Sequence, residues 1–493
     1  MIVFRIKWHW IAGGAFAAVF VLLLTFRVDL FGEQAERVVP LHADARVFLD
    51  REGWMSIFQE GQKIGYAHRR FFRTHEGYRF VESVFMRINT MGIVQGISFK
   101  TEGELHPDMS LSSFNFHLSS SLFSFTVHGV VKERRLTLYS GTGGSLKRTE
   151  IPLPEAPYLT NGILEFIWAA GLKPGQSRTF HVFDPATMGQ RPVKVSLLGN
   201  DVVTIMGQRQ KARKVSVDFM GVQQFAWIGE DGDILREEGI LGITLEQVTK
   251  DRALDGLFLS SSADLTEIAS IPADKVIADP DKLTKLEVEL INCGNMNLFL
   301  NGDRQRFKDN ILTIHRESMT TLPPGSPVLN SNRAFLEPTP LIQSDHPQIR
   351  AMAERIVSPA DPVQVKARKL VAWVHKNLEK RPVLSVPNAL ETLNNLVGDC
   401  NEHAVLLAAL ARANGIPTQV EAGLVYQRGR FYYHAWNVIF LGRWVTADAV
   451  MGQMPADVTH IRFVRGATEE QINLISIIGK LRLKILTASY HES

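Results

Sequence analysis

From about Val47 to about Ile314 the apolar residues recur with a period of two. Phe114, Phe116 and Leu118 alternate with Asn115 and His117, and Phe123, Phe125 and Val127 alternate with Ser124, Thr126 and His128. Such alternation describes a strand with one buried and one wet face, and two such runs across a serine-rich break predict a hairpin. Near-alternation returns over 80–88, and again where Val215, Val217 and Phe219 face away from Lys214, Ser216 and Asp218. Glu230-Asp231-Gly232-Asp233, set between Ile228 and Ile234, predicts a tight turn joining two more strands. Leu159 to Gly171 breaks the period and reads as one short helix, ended by Gly171 and Pro174. The pattern predicts an antiparallel β-rich region over residues 47–320, including a further β segment near Leu286 to Ile314.

Prolines then interrupt both periods. Leu322-Pro-Pro-Gly-Ser-Pro and Glu337-Pro-Thr-Pro resist helix and central strand alike, and read as a linker over 321–340, with the boundary near Phe335. Beyond it the period lengthens. Ala367, Leu370, Val371, Val374 and Leu378 recur at helical spacing after Asp361-Pro362, an N-cap followed by proline at the first helical position. Ala389 to Leu393 predicts a second, short helix that ends at Val397-Gly398. A third opens at Cys400: Ala404, Leu407, Ala408 and Ala411 make one face, Val405, Leu406 and Leu410 widen it, and Gly415 and Pro417 terminate it. Strand-like runs follow over 420–426, 431–440 and 444–450, parted by Gly429 and Gly442. Helices packed on an antiparallel sheet make residues 341–493 an α+β domain.

One stretch follows neither period. Trp10 to Phe26 carries no charge over seventeen residues, which as a helix span roughly 25 Å, the short end of a transmembrane segment. Arg5 and Lys7 precede it, and Trp8 and Trp10 supply an interfacial belt, so the expectation is a cytoplasmic N-terminus over 1–9 and a transmembrane anchor over 10–27. Residues 28–46 would then be a linker to an extracytoplasmic body, periplasmic in a Gram-negative cell. Thr25-Phe26-Arg27-Val28-Asp29 is not a small-x-small cleavage site, which favours an uncleaved anchor over a removed signal peptide.

Composition narrows the class. At 493 residues the chain exceeds one hydrophobic core and calls for two or three domains, and with 45% apolar and 21% charged residues those domains are globular. A net charge of +3, with no basic stripe interleaved with aromatics, argues against a nucleic-acid partner. Cys293 and Cys400 cannot make a disulfide framework and read as free thiols. His68, His75, His106, His117, His128 and His181 lack metal-ligand spacing, and no cofactor signature occurs, so no metal or cofactor is expected.

The chemistry concentrates in the last third. Cys400 opens a buried helix, His434 sits in Phe431-Tyr-Tyr-His-Ala-Trp-Asn-Val-Ile-Phe440, and Asp448 sits in the next strand-like run. A helix dipole is worth about 0.3–2 kcal/mol, roughly one pKa unit, and from an ordinary value near ~8.5 that leaves the thiol mostly protonated. A charged partner is needed, which His434 would supply. If the two strands form a hairpin through Leu441-Gly442-Arg443, the residue opposite His434 falls within one or two of Asp448, close enough for the carboxylate to hold the ring. The bland readings are an inert buried cysteine and a core histidine packed beside Tyr433 and Trp436. A metal reading would join Cys400, His403, His434 and Asp448, but no paired-ligand spacing supports it.

From about Val363 to Val464 the chain resembles the transglutaminase-like superfamily, a papain-related group that includes transglutaminases, bacterial thiol proteases and peptide N-glycanases. The stretches that carry the likeness are GDCNEHAVLLAALARANGIPTQVEAGLVY, FYYHAWNVIF and RWVTADAVMGQMPADVTHIRF. The resemblance implies an α+β papain-like core with Cys400 as nucleophile, His434 as general base and Asp448 as its partner. It also implies acylation of the thiol, followed by transfer to an amine or to water. Two positions depart from the family pattern: Ala449 stands where a proline usually follows the aspartate, and Asn437 where an acid is common. The expected function is therefore a membrane-anchored, extracytoplasmic thiol enzyme acting on amides of a protein or peptide substrate. The alternative is a non-catalytic envelope scaffold that keeps the fold.

Overall fold

The computed structural model describes residues 50–490, apart from 121–122, 141–146, 154, 160–161, 170, 186–188, 220–221, 257–263, 293–297, 320–329, 384–385, 467–473 and 475–476. The expected anchor over 10–27, Cys293 and residues 321–329 of the proline-rich linker lie outside these residues. No helix among the described residues is long and apolar enough to cross a membrane. The chain is mostly β-sheet with few helices, as the alternation in its middle requires.

Period-two alternation becomes a fifteen-stranded sheet between Arg51 and Val248. The first eight strands step outward from the sheet's middle, and the remaining seven step back toward it from the other edge. Arg51–Gln59 therefore pairs Ile243–Val248, with Trp54 opposite Val248 and Gln59 opposite Ile243. Neighbours are antiparallel except Tyr158–Leu159, which runs parallel to Ser177–Asp184. The predicted hairpin forms between Leu111–Ser120 and Ser124–Lys132, with Phe116 opposite Val127. Its Phe114, Phe116, Leu118, Phe125 and Val127 are buried, while Asn115 and His117 face out. The turn at Glu230–Asp233 is also present, with Gly232 at φ +83°, a conformation an L side chain rarely adopts. The short helix is Ile163–Ala169.

The β segment near 286–314 does not join this sheet. Leu283–Ile291 pairs with Ile311–His315 on one side and with the C-terminal strand Arg482–Tyr490 on the other, making a separate four-stranded sheet. Its Leu286, Val288, Leu312 and Ile314 share one apolar core with Leu370, Val374 and the helix Cys400–Ala413. Ile271–Pro272 likewise pairs with Arg430–Phe440. The stretch read from its period as one β region, 47–320, thus divides by strand pairing among three sheets.

Three helices from the predicted α+β part are Val363–Asn377, Ala389–Asn395 and Cys400–Ala413, preceded by Pro347–Ile356. The Val363 helix starts one residue later than Asp361-Pro362 indicated. Pro362 is its N-cap, and the Asp361 carboxylate accepts from Ser358 N–H and Lys369 instead. Thr418–Gln427, Arg430–Phe440, Trp444–Ala447 and Ile461–Gly466 form the sheet behind the Cys400 helix. Every residue of that helix from Glu402 to Ala411 is buried, which explains its apolar composition. The large sheet touches this part beside the site: Phe123 packs on Val383 and Val397, Ser124 N–H donates to Glu391, and Gln95 donates to the Pro382 carbonyl.

Candidate active site

Cys400 is the first residue of its helix, and its position is set by a reciprocal cap. The Asp399 side chain accepts from Asn401 N–H and the residue after it, while Glu402 reaches back to Asp399 N–H at 2.9 Å. Gly398 makes room for this return, because a Cβ there would stand 2.3 Å from the Glu402 Cβ. The cap has an electrostatic consequence for the thiol. It satisfies the free N–H groups that a helix start would offer a thiolate, and it does so with two carboxylates. Burial, then the charges of Asp399, Glu402 and Asp448, push the Cys400 thiol well up, opposed by the Ala435 backbone N–H, which donates to the sulfur. The helix start alone does not make a nucleophile here.

His434 and Asp448 come together as hairpin geometry requires. The strands Arg430–Phe440 and Trp444–Ala447 pair with Asn437 opposite Ala447 and Phe440 opposite Trp444, through a turn at Gly442 with φ +88°. Continuing that register sets His434 two residues across from Asp448, a diagonal neighbour. His434 Nε2–H donates to Asp448 Oδ2 at 2.8 Å. This bond commits Nε2 and leaves Nδ1 as the ring's acceptor. The aspartate is fully buried and satisfied on its other oxygen as well: Oδ1 accepts from Val450 N–H at 2.6 Å and Met451 N–H at 3.0 Å. Asp448 and Gln453 exchange both backbone hydrogen bonds at 2.9 Å, closing the loop that carries the carboxylate. Despite burial, His434 and then His460 hold Asp448 well below the usual carboxylate range.

Asn437 ties the strand to the helix. Its amide donates to the Ala404 carbonyl at 2.9 Å, fixing the height of the Cys400 helix against the histidine strand. A carboxylate at this position has no proton to give and would lose that bond. His375 holds the far side, its ring Nδ1 lying 3.1 Å from the carbonyls of Ala449 and Val450. Trp436 is buried at 1% exposure and donates to Glu421, which Arg462 and Arg465 neutralise in turn. It is a packed core residue, with its ring against both His434 and His460.

His460 was not among the residues that sequence reasoning singled out. Its Nε2 lies 3.0 Å from the same Asp448 Oδ2 that receives His434, and both the ring and the carboxylate are fully buried. A signal was present in Asp457-Val-Thr-His460, where a carboxylate precedes an imidazole by three residues at the mouth of an apolar strand. His403 departs in the opposite direction. It is buried, its Nδ1–H donates to the Asp399 carbonyl at 2.7 Å, and burial lowers its affinity for a proton. The metal set Cys400, His403, His434 and Asp448 is not what the fold gathers. Among the described residues, the ligand-type atoms within 4.8 Å of one another belong to His434, Asp448 and His460. Both ring nitrogens there already bond the single carboxylate oxygen. Cys400 is a free thiol.

The family model of the transglutaminase-like superfamily matches residues 350–449. Among solved structures, a beta-barrel-like protein of a domain of unknown function from Brucella abortus is 10% identical, covering 41% of this chain and 96% of that one, with a TM-score of 0.32. A putative cysteine protease from Cytophaga hutchinsonii is 14% identical, covering 45% and 85%, at 0.27. The periplasmic domain of TgpA from Pseudomonas aeruginosa, bound to ethylmercury, is 15% identical, covering 38% and 93%, at 0.25. No curated protein matches the chain. Residues 350–449 are a transglutaminase-like domain, and Cys400, His434 and Asp448 all fall inside it.

Proposed function

We propose that the protein is a thiol enzyme that breaks amide bonds of a protein or peptide substrate, with Cys400 as nucleophile, His434 as general base and Asp448 as its orienter. The observation that carries this reading is the 2.8 Å bond from His434 Nε2–H to a buried, depressed Asp448, which leaves Nδ1 to accept the thiol proton. In the first half-reaction the Cys400 proton passes to His434, the sulfur adds to the amide carbonyl, and the C–N bond breaks. The amine leaves with the proton from His434, and a thioester remains. Water or a second amine then adds to the thioester, giving its proton to His434. The thiol is restored with release of an acid or a new amide.

Because burial and three carboxylates oppose a standing thiolate, proton transfer to His434 must accompany attack, so substrate carbonyl and ring have to meet the sulfur together. The same opposition is the observation that favours a second reading, a non-catalytic scaffold with an inert thiol. Iodoacetamide alkylation of the full chain, followed by peptide mass, separates the two. An enzyme's Cys400 reacts well below pH 8 and faster than Cys293, and loses that advantage in His434→Ala. Equal, ordinary-thiol kinetics at both cysteines would establish the scaffold. We also assign residues 10–27 as the anchor that holds the site outside a membrane. Deletion of residues 1–30 should then move the protein from the membrane fraction to the soluble one, and unchanged fractionation refutes the assignment.

A further inference from the structure

His460 lies beyond the matched segment, which ends at residue 449, and the chemistry above gives it no part. Its ring is closed in on both nitrogens by groups that can only accept. Nε2 faces Asp448 Oδ2 at 3.0 Å, while Nδ1 faces the Asp457 carbonyl at 3.2 Å and its carboxylate Oδ1 at 3.4 Å. A neutral imidazole has one donor and one lone pair, so one of these contacts would set a lone pair against an oxygen. Two acceptor-only partners require both nitrogens to carry protons. The ring is also fully buried, where an unmet nitrogen has no water to turn to.

The surrounding charges hold a cation there. Asp457 faces the ring from its own loop, kept ionised by Thr459, which donates through both N–H and hydroxyl, and by Gln453. Asp448 faces it from the loop after Trp444–Ala447. From the Arg430–Phe440 strand come the His434 ring, 5.9 Å away between centroids, and the edge of Trp436 at 5.1 Å. Arg304 approaches from the four-stranded sheet but meets the His460 carbonyl at 3.1 Å and is paired with Glu317. Burial opposes the charge on His460, but Asp448 and Asp457 outweigh it and push the ring up to about 9.

We propose that His460 is a positioning residue, a buried imidazolium that clamps Asp448 through the oxygen shared with His434 and thereby sets the pH range in which Cys400 and His434 work. This rests on the thiol-enzyme reading. With His460 charged, the two carboxylates and the cation sum to one negative charge beside the reacting pair; without it they sum to two. Loss of a nearby positive charge makes every neighbouring proton harder to remove. Thiolate formation at Cys400 moves to higher pH, and the acid edge of the working range moves with it. A residue that only filled space would lower the rate at every pH and leave the range where it was.

The test uses iodoacetamide alkylation of Cys400 in the full chain, followed from pH 5 to 10. His460→Gln keeps a donor in reach of Asp448 but carries no charge. Its acid limb should rise by about one pH unit, a roughly tenfold slower reaction on that limb, whereas Asp457→Asn, which removes an anion, should not raise it. An acid limb that stays in place in His460→Gln with wild-type melting overturns the proposal. Should both variants fail to fold, the wild-type chain still decides, through 15N spectra of labelled histidines at pH 8. Two protonated ring nitrogens on His460 are expected, and a neutral ring there refutes the clamp. Alkylation that shows no activation of Cys400 in the wild type would overturn the enzyme reading instead, while the 15N result reports on His460 independently.

Discussion

Two of the places where the molecule buries charge handle it differently. In the fifteen-stranded sheet Arg69 donates to Glu82 at 2.5 Å and to Glu237, with Glu165 of the short helix nearby. In the transglutaminase-like domain Asp448 is shared by two imidazoles. A guanidinium keeps its protons at any pH a protein meets, so Arg69 can hold strands together but cannot itself pass a proton. Imidazoles can. Replacing the permanent cation with titratable ones is what turns a buried ion cluster from a structural tie into a site able to do acid–base work.

The largest expected effect breaks the second cluster. Asp448→Asn should lower turnover by about 10³–10⁴-fold on any substrate the protein accepts, because the amide no longer fixes the ring tautomer or stabilises the imidazolium. It also leaves His460 with one anionic partner, so melting should fall with activity. If single-turnover acylation of Cys400 runs at the wild-type rate in this variant, Asp448 is not the orienter.

A second substitution sharpens the comparison by pH. Burial raises Glu165 from 4.5 to about 7 in the folded protein, while the unfolded chain releases that proton near the ordinary value. The unfolded state therefore holds fewer protons between 4.5 and 7, and stability falls as pH rises through that window. The full difference is on the order of 3 kcal/mol. Glu165→Gln should flatten the decline in urea-melt stability between pH 4.5 and 7. His460 works in a later window: a ring raised to about 9 contributes stability below its unfolded value of 6.5 and loses it as pH rises toward 9. The decline above pH 7 should thus survive in Glu165→Gln. Identical pH–stability curves for variant and wild type would show that Glu165 ionises in the sheet as it does in water.

How much of this was legible in the sequence depends on the range of the interaction. Strand alternation around Phe114 and Phe125 is local, and it yields the hairpin directly. Helix spacing after Cys400 is equally local. His434 and Asp448 are separated by one turn, so counting residues across Gly442 brings them together without a structure. Nothing local says that Leu283–Ile291 pairs with Arg482–Tyr490, because an alternating strand fits any sheet with an open edge. His460 is hidden for the same reason: its partners are Asp448, across a loop, and Asp457, whose orientation depends on Thr459 and Gln453. The charge at the Cys400 helix start was readable in principle, since Asp399 and Glu402 stand in the sequence. That both would turn toward the helix N–H groups, and so oppose the thiolate a bare helix start favours, required the cap to be seen.

That cap supports the smallest and most discriminating prediction. Asp399→Asn keeps a side-chain oxygen that can accept from Asn401 N–H, so stability should change by only a few tenths of a kcal/mol. The change removes one of the charges that push the thiol up. The acid limb of Cys400 alkylation should consequently move to lower pH by less than about one unit, opposite in direction to His460→Gln. The pair of variants is informative because they bracket one thiol, one removing a nearby anion and the other a nearby cation. Opposite movements of the same limb would mean that summed local charge, more than the helix itself, governs when Cys400 ionises. Movement in the same direction would mean that both variants disturb the His434–Asp448 geometry, and that the charges at the helix start have no separate hold on the thiol.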